Sequence, residues 1–342
     1  PSDNMADETP FVIDLGSSMT RASFSGDESC ESVPTVVSRP SSAGIEEKRY
    51  PVRRGVVEDM NDLEHFLRGL YNQLEVHRTQ HPVLFTEKVL NPRENREFLT
   101  QLMFECFNVP AVNLAYEAVC VLFAVGRSSG CVVDMGHSVT GVTPVSEGFP
   151  VTYASLRGDV TGSTITQTLT ESLIQQKVDQ DVAANTALVS AIKERVCRIP
   201  ENATAQPLEA SFELPDGKTV PIPPASVAVP EAYFHAPNSL PSLIASSLSQ
   251  VEPEIRKELW SNIVLTGSAS LTEGLVPRLT DGLLGVAPGV YKPALTAQAD
   301  RSTLVWQGGS ILAGLPTYQQ LWVTKSHYDE MGPGVIHRMA IV

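Results

Sequence analysis

Phe11-Val-Ile-Asp-Leu-Gly-Ser-Ser-Met-Thr20 and Cys131-Val-Val-Asp-Met-Gly-His-Ser-Val-Thr140 decide how this chain is read. Each opens on a short apolar run of the kind that forms a buried strand, and each run breaks at a glycine, which accepts a tight turn. In both, an Asp stands two residues before Gly and six before Thr: Asp14, Gly16 and Thr20, then Asp134, Gly136 and Thr140. The second copy follows the first at a separation of 120 residues. A repeat on that scale predicts two similar lobes, each giving one strand-turn-strand element to a shared cleft.

Helical periodicity fills the space between the copies. Asn61 with Glu64 reads as a capping box ahead of Leu63, Phe66, Leu67, Leu70, Tyr71 and Leu74, which share a helical face. Asn91-Pro92 predicts a second helix with proline in its first position and Phe98, Leu99, Leu102, Met103, Cys106 and Phe107 turned inward. His81 to Thr86, between them, reads as a buried strand, so the architecture is alternating α/β. Further on, helices are predicted near Gly162 to Lys177 and Asn185 to Cys197. The proline-rich stretch 200–241, with Leu214-Pro-Asp-Gly217 between strand-like runs, reads as a small β-containing insertion. Asn262 to Thr266 restores a strand, followed by a turn over Gly267 to Ser270, then a helical region, and finally Trp306 to Leu321. Pro40 to Tyr50 reads as a linker.

Composition narrows the function classes. A chain of 342 residues, 42% hydrophobic, buries a sizeable core and usually divides into two or more domains. Its 25 Lys plus Arg against 39 Asp plus Glu give a charge of −14, which repels phosphate backbones and anionic lipid; direct nucleic-acid or membrane partners are not expected. The five cysteines have neither zinc-ligand nor disulfide-framework spacing, which fits a reducing compartment. No apolar run reaches bilayer-spanning length, and the polar start over Pro1 to Thr9 does not read as a signal peptide. Pro1 to Asn4, ahead of Met5, are read as foreign to the natural chain.

His81-Pro-Val-Leu-Phe-Thr-Glu-Lys-Val-Leu-Asn-Pro-Arg-Glu-Asn-Arg96 and Met103-Phe-Glu-Cys-Phe-Asn108 strongly resemble actin. So do Val305 to Trp322, Tyr328 to Pro333 and Val335 to Arg338. The likeness runs from about Phe11 to Arg338, in blocks far longer than the phosphate motifs shared with sugar kinases and Hsp70 chaperones. The chain thus resembles a divergent actin-related or actin-like protein. The resemblance implies the α/β actin-like ATPase fold of the actin/Hsp70/sugar kinase superfamily, duplicated two-lobed α/β domains around a nucleotide cleft. It implies a disordered N-terminus over 1–10, and a first lobe over 11–128 and 306–342 with a truncated tip at about 38–52. The second lobe covers 129–305, with the insertion at about 163–240. ATP or ADP with Mg²⁺ is the implied cofactor, held by backbone N–H groups of paired hairpin turns and by carboxylates that hold a hydrated cation.

Position by position, the resemblance assigns Asp14, Gly16, Ser17 and Ser18 to the first phosphate turn, with Ser18 replacing a usual glycine. Arg21 stands where a phosphate-contacting lysine is usual, keeping the charge on a larger planar head. Asp134, Gly136, His137, Ser138 and Val139 form the second turn. There His137 replaces a carboxylate near the cation, and Ser138 replaces a glycine that lets the backbone approach phosphate. His137 is expected as a plain turn residue rather than a new cation ligand, leaving Asp14 and Asp134 to hold the metal through water. Glu117 stands where eukaryotic actins orient the attacking water with Gln; general base and replacement cation ligand are both open to it. Lys193 and Glu194 match the pair near the ribose and base. The family's Gly-Gly-Thr turn is Gly267-Ser268-Ala269 here, and Ser302 stands where a Lys packs on adenine. Hydrolysis is expected to be weak or absent.

Two shortened segments bear on polymerisation. Between Arg39-Pro40 and Tyr50-Pro51 the chain lacks most of the tip whose loop inserts into the next protomer, and Phe234 to Leu240 is short where actin has its hydrophobic plug. Phe123, Gly126, Ser128, Ile311, Leu312, Leu315, Thr317 and Leu321 match the lining of the barbed-end groove, although Ile311 and Leu312 also read as core. That groove takes a neighbour's loop or an amphipathic helix. One end keeps its socket while the other has lost its plug. Expected partners are therefore other actin-family subunits, or proteins presenting such a helix or loop. The expected role is a structural subunit, a pointed-end cap of the dynactin type among the options; an ATP-hydrolysing filament former is the alternative. The expected setting is the cytoplasm and cytoskeleton, with nuclear and ciliary complexes also using actin-related subunits.

Overall fold

The structure, a computed structural model, describes residues 9–40, 46–200, 210–235 and 238–340. The disordered start expected over 1–10 lies, apart from Thr9 and Pro10, outside the described residues. The chain divides into two units: Pro1–Ser129 with Val145–Thr152 and Thr303–Val342, and Gly130–Pro144 with Tyr153–Ser302.

The first unit is built on a six-stranded sheet. Its order is Val323–Thr324, Ala111–Tyr116, Val83–Glu87, Phe11–Leu15, Met19–Phe24, Glu31–Pro34. The three central strands are parallel, and Val83–Glu87 is buried along its whole length, as a strand covered on both faces must be. On one face the helix Met60–Gln73 buries Leu63, Phe66, Leu67, Leu70 and Tyr71, worth on the order of 10 kcal/mol in transfer free energy. Its cap differs from the Asn61/Glu64 box. The helix begins one residue before Asn61, Asp59 accepts from the Asp62 amide at 2.9 Å, and Glu64 is committed to Arg68 one turn on. The other face takes Leu304–Gly314, packed so closely on Glu117–Ala124 that a Cβ at Gly308 would stand 1.7 Å from the Cys120 carbonyl oxygen.

Two further expectations shift. Pro92 caps the helix Arg93–Leu102 rather than opening it, and Phe98 is 51% exposed. Phe98 lies at the rim of a stripe centred on Leu99, Leu102 and Met103, so the sheet does not reach it. The segment read as a linker carries a strand, Glu46–Arg49, which pairs antiparallel with Val37–Pro40, while 41–45 lie outside the described residues. Buried Asp62 accepts from Arg39 at 2.9 Å and lies 3.9 Å from Arg49, which ties that strand pair to the helix behind it.

In the second unit Gly130–Met135 lies between Thr140–Ser146 and the parallel strand Ile263–Thr266, with Leu295–Thr296 beyond the latter and Leu156–Gly158 paired to Thr140–Ser146. Helices Gly162–Gln175 and Thr186–Val196 share an apolar cluster with a hairpin, Ala210–Glu213 against Thr219–Ile222. Leu169, Leu173, Val189 and Ile192 meet Phe212 and Val220 there, so the insertion carries its own small core. No helix among the described residues is long and apolar enough to cross a membrane, and all five cysteines are free thiols.

Candidate functional site

Open parallel sheets gather their ligands at the carboxyl ends of the strands, and in each unit the repeated aspartate, Asp14 or Asp134, falls on that edge. In the first unit Asp14 is the penultimate residue of Phe11–Leu15, and Lys88 follows Val83–Glu87. Glu117 opens the helix that follows Ala111–Tyr116, where a helix N-terminus favours an anion. Asp14 is buried and held on both oxygens: Thr86 Oγ1, from the neighbouring parallel strand, donates to Oδ1 at 2.8 Å, and Arg21 Nη1 lies 3.4 Å from Oδ2. Antiparallel register sets this second contact, because Asp14 and Arg21 are cross-strand partners on the hairpin that carries Gly16, Ser17 and Ser18. Glu117 forms a short ion pair with Lys88. Burial raises the Cys120 thiol well above its ordinary value, and the nearby Glu117 and Asp14 carboxylates push it further the same way.

The second unit repeats the pattern with different chemistry. Asp134 is the penultimate residue of Gly130–Met135, and the turn over Gly136, His137, Ser138 and Val139 closes with the Gly136 amide on the Val139 carbonyl at 2.8 Å. Behind the turn stands the N-terminus of Gly162–Gln175, where the amides of Gly162 and Ser163 donate to the carbonyls of Gly136 and His137 at 3.1 and 2.6 Å. Lys193 Nζ donates to the Gly162 carbonyl at 3.2 Å and to Thr166 Oγ1 at 2.9 Å. Burial pushes the His137 imidazole below its ordinary value, and Lys193 adds to the effect; burial likewise lowers Lys193. Gly267 follows Ile263–Thr266 at φ +91°, and its amide donates to the Arg301 carbonyl at 3.2 Å. Ser268 is exposed and Ala269 half-buried in the turn that follows, Glu194 is exposed and Ser302 half-buried.

The fit to a phosphate-bearing ligand and its cation divides. A Cβ at Gly16 would stand 2.4 Å from the Met19 carbonyl oxygen and one at Gly136 2.9 Å from that of Val139, so both turns are tight enough to require glycine, as turns that fold around a phosphate commonly are. Arg21 and Lys193 supply the cations. A hydrated cation fits less well: Asp14 is already occupied, His137 brings no carboxylate, and no group of three or more His, Cys, Asp or Glu suited to a metal occurs among the described residues. Thr86, Lys88, Gly162 and Thr166 were not singled out by sequence. Thr86 and Lys88 stood in the quoted block at His81 to Arg96, but their partners lie 72 and 29 residues away.

The groove residues all fall in the first unit. Phe123 is half-buried on Glu117–Ala124, Gly126 and Ser128 are exposed just beyond it, and Gly126 adopts φ +70°. On Leu304–Gly314, Ile311 is 45% exposed, while Leu312 is 2% exposed and belongs to the core rather than to any groove. Leu315 and Leu321 are half-buried and Thr317 exposed. A family model described as Actin matches residues 5–340.

Proposed function

Since the chain belongs to the actin family and has its α/β actin-like ATPase fold, we propose that it serves as a structural subunit of a cytoskeletal assembly containing other actin-family chains, and that it does not turn over ATP. Members of that family generally bind a nucleotide with a divalent cation. The observation that carries the proposal is internal charge pairing at the strand ends. The two carboxylates that would hold the cation and orient water, Asp14 and Glu117, are engaged by Arg21 and by Lys88. Phosphoryl transfer depends on positioning and on charge stabilisation, and both are compromised when those carboxylates are held in ion pairs by the protein's own cations. The tight turns at Gly16 and Gly136 support nucleotide as a static ligand.

The exposed Ile311, with Phe123, Leu315 and Leu321 near it in sequence or on the packed helix, supports an amphipathic helix or loop as the partner element. The matched groove positions and the short tip support a place at the pointed end of a filament, in the cytoplasm. The test is sedimentation and phosphate release with Mg-ATP, alone and with actin-family filaments. We expect neither self-polymer nor sustained phosphate release from the pure protein, together with stoichiometric, low-abundance co-sedimentation. Steady turnover, or abundant polymer of this chain alone, overturns the reading in favour of a hydrolysing filament former.

A further inference from the structure

The resemblance puts Lys193 beside the ribose and base of a nucleotide, yet its ammonium is engaged within the second unit. It stands on Thr186–Val196 and reaches across to the first turn of Gly162–Gln175, donating to the Gly162 carbonyl at 3.2 Å and to Thr166 Oγ1 at 2.9 Å. Thr166 Oγ1 donates to that same carbonyl at 2.9 Å, so the three groups close a ring. The position is an unfavourable one for a cation. A helix N-terminus carries the positive end of the macrodipole, and Lys193 is half-buried, so burial lowers it from its ordinary value. What the ring holds explains why a lysine is kept there. The amides of Gly162 and Ser163 donate to the carbonyls of Gly136 and His137, and a Cβ at Gly162 would stand 3.2 Å from the Gly136 carbonyl oxygen and 3.2 Å from the His137 Cα. Amides that a helix N-terminus could offer to an anion are used here to grip the second phosphate turn, and Lys193 fixes the residue that does the gripping.

The other cation on that side is engaged too. Arg301 donates from Nε to Ser270 Oγ at 3.1 Å, from Nη2 to the Ser270 carbonyl at 2.9 Å and from Nη1 to the Gln298 carbonyl at 2.8 Å, which ties it to the turn that follows Gly267. Discrimination between bases comes from donors and acceptors held ready for a base edge, and side chains already bonded to the protein do not supply it. A positive charge fixed behind a phosphate turn, by contrast, acts on any phosphate that the turn receives. We propose that Lys193 is a positioning residue for the second phosphate turn rather than a nucleoside contact, and that the site therefore selects its ligand by a diphosphate group with little regard for the base. The proposal rests on the reading of a nucleotide as a static ligand and names what that ligand is recognised by.

The test is calorimetric titration of the full chain with ADP, GDP and pyrophosphate in magnesium buffer, beside amide hydrogen exchange without any ligand. ADP and GDP are expected to bind within about threefold of each other, and pyrophosphate within about tenfold of both. Lys193→Met is expected to weaken ADP and pyrophosphate by the same factor, about tenfold, and to speed exchange at the Gly162 and Ser163 amides. Lys193→Arg, which keeps the charge and its donors, should retain most of the affinity, and Arg195→Gln, at an exposed cation on the same helix, should change nothing. If Lys193→Met melts far below the parent, Thr166→Val serves in its place: it removes one acceptor of Lys193 and should give a smaller, parallel loss for both ligands. Loss of ADP affinity with pyrophosphate untouched would make Lys193 a nucleoside contact and overturn the proposal. Parent-like exchange at Gly162 and Ser163 in both variants, a preference for ADP over GDP above about thirtyfold, or no binding of any of the three ligands by the parent overturns it as well. Steady phosphate release from Mg-ATP refutes the static-ligand reading instead, and leaves the role of Lys193 to be decided by the exchange measurement.

Discussion

Replacing Gly267 with alanine probes how the second phosphate turn is held from behind. Gly267 stands at φ +91°, ψ 151°, a region open in practice to glycine alone, and another residue there pays about 1–3 kcal/mol in backbone strain. The new methyl would also stand 2.4 Å from the Met135 carbonyl oxygen and 2.6 Å from Asp134 Oδ1. The first of these is main chain at the end of a central strand and cannot swing aside, so overpacking adds about 1–3 kcal/mol. Together the two terms put the loss near 4 kcal/mol. For a unit of this size that lowers the melting temperature on the order of 10 °C. Thermal melting followed by circular dichroism reads it directly, with Gly285→Ala as the control. Gly285 lies in the helix Leu275–Val286 with nothing within 4 Å of its would-be Cβ, and alanine there should stabilise by about 0.5–1 kcal/mol. If Gly267→Ala melts within 2 °C of the parent, the close approach of this turn to the Asp134 strand is not rigid, and the argument built on it fails.

His137 gives a pH signature. Because its folded value is lowered by burial and by Lys193, the unfolded chain takes up the proton first as pH falls. Stability is therefore expected to decline as pH drops from above the imidazole's ordinary value of about 6.5 towards the folded value, and His137→Asn should flatten urea-melt stabilities across that window; equal losses in both proteins count against it. On the proposed partner face, Ile311→Asp should leave the melting temperature nearly unchanged while abolishing co-sedimentation, since Ile311 is 45% exposed. Leu312→Ala, at a side chain 2% exposed, should cost about 2–5 kcal/mol. Equal destabilisation by the two would place Ile311 in the core and remove the face.

The hairpin turns were legible because their signal is local. A buried apolar run ending in Asp-x-Gly needs no distant partner to be read, and the glycine contacts recur in both copies, Gly16 on Met19 and Gly136 on Val139. The strand pair at Val37–Pro40 and Glu46–Arg49 was illegible for the opposite reason. Glu-Glu-Lys-Arg has no apolar alternation, and the strand is held by Arg39 and Arg49 reaching Asp62 on a helix that sequence does not place beside it. The helix cap slipped by two residues because Asn61 and Asp59 are both good capping residues, and only the first turn's geometry chooses between them. The ion pairs at the strand ends could not be read at all. Asp14 with Arg21 needs the hairpin register, and Glu117 with Lys88 needs two strand ends side by side.

Those two pairs bear on how the carboxylates at the strand ends are satisfied. A buried carboxylate left without a partner is costly, and breaking a buried pair by removing one member typically costs about 3–5 kcal/mol. Asp14, buried beneath the first turn, has Thr86 and Arg21 as standing partners, and Glu117 has Lys88. A bound cation is then not needed to satisfy either charge in the folded chain. A phosphate that recruits Arg21 must draw it away from Asp14, so the same contact that steadies the empty turn opposes the ligand. Natural selection for a subunit used through its surface has no reason to remove that opposition, whereas selection for turnover does.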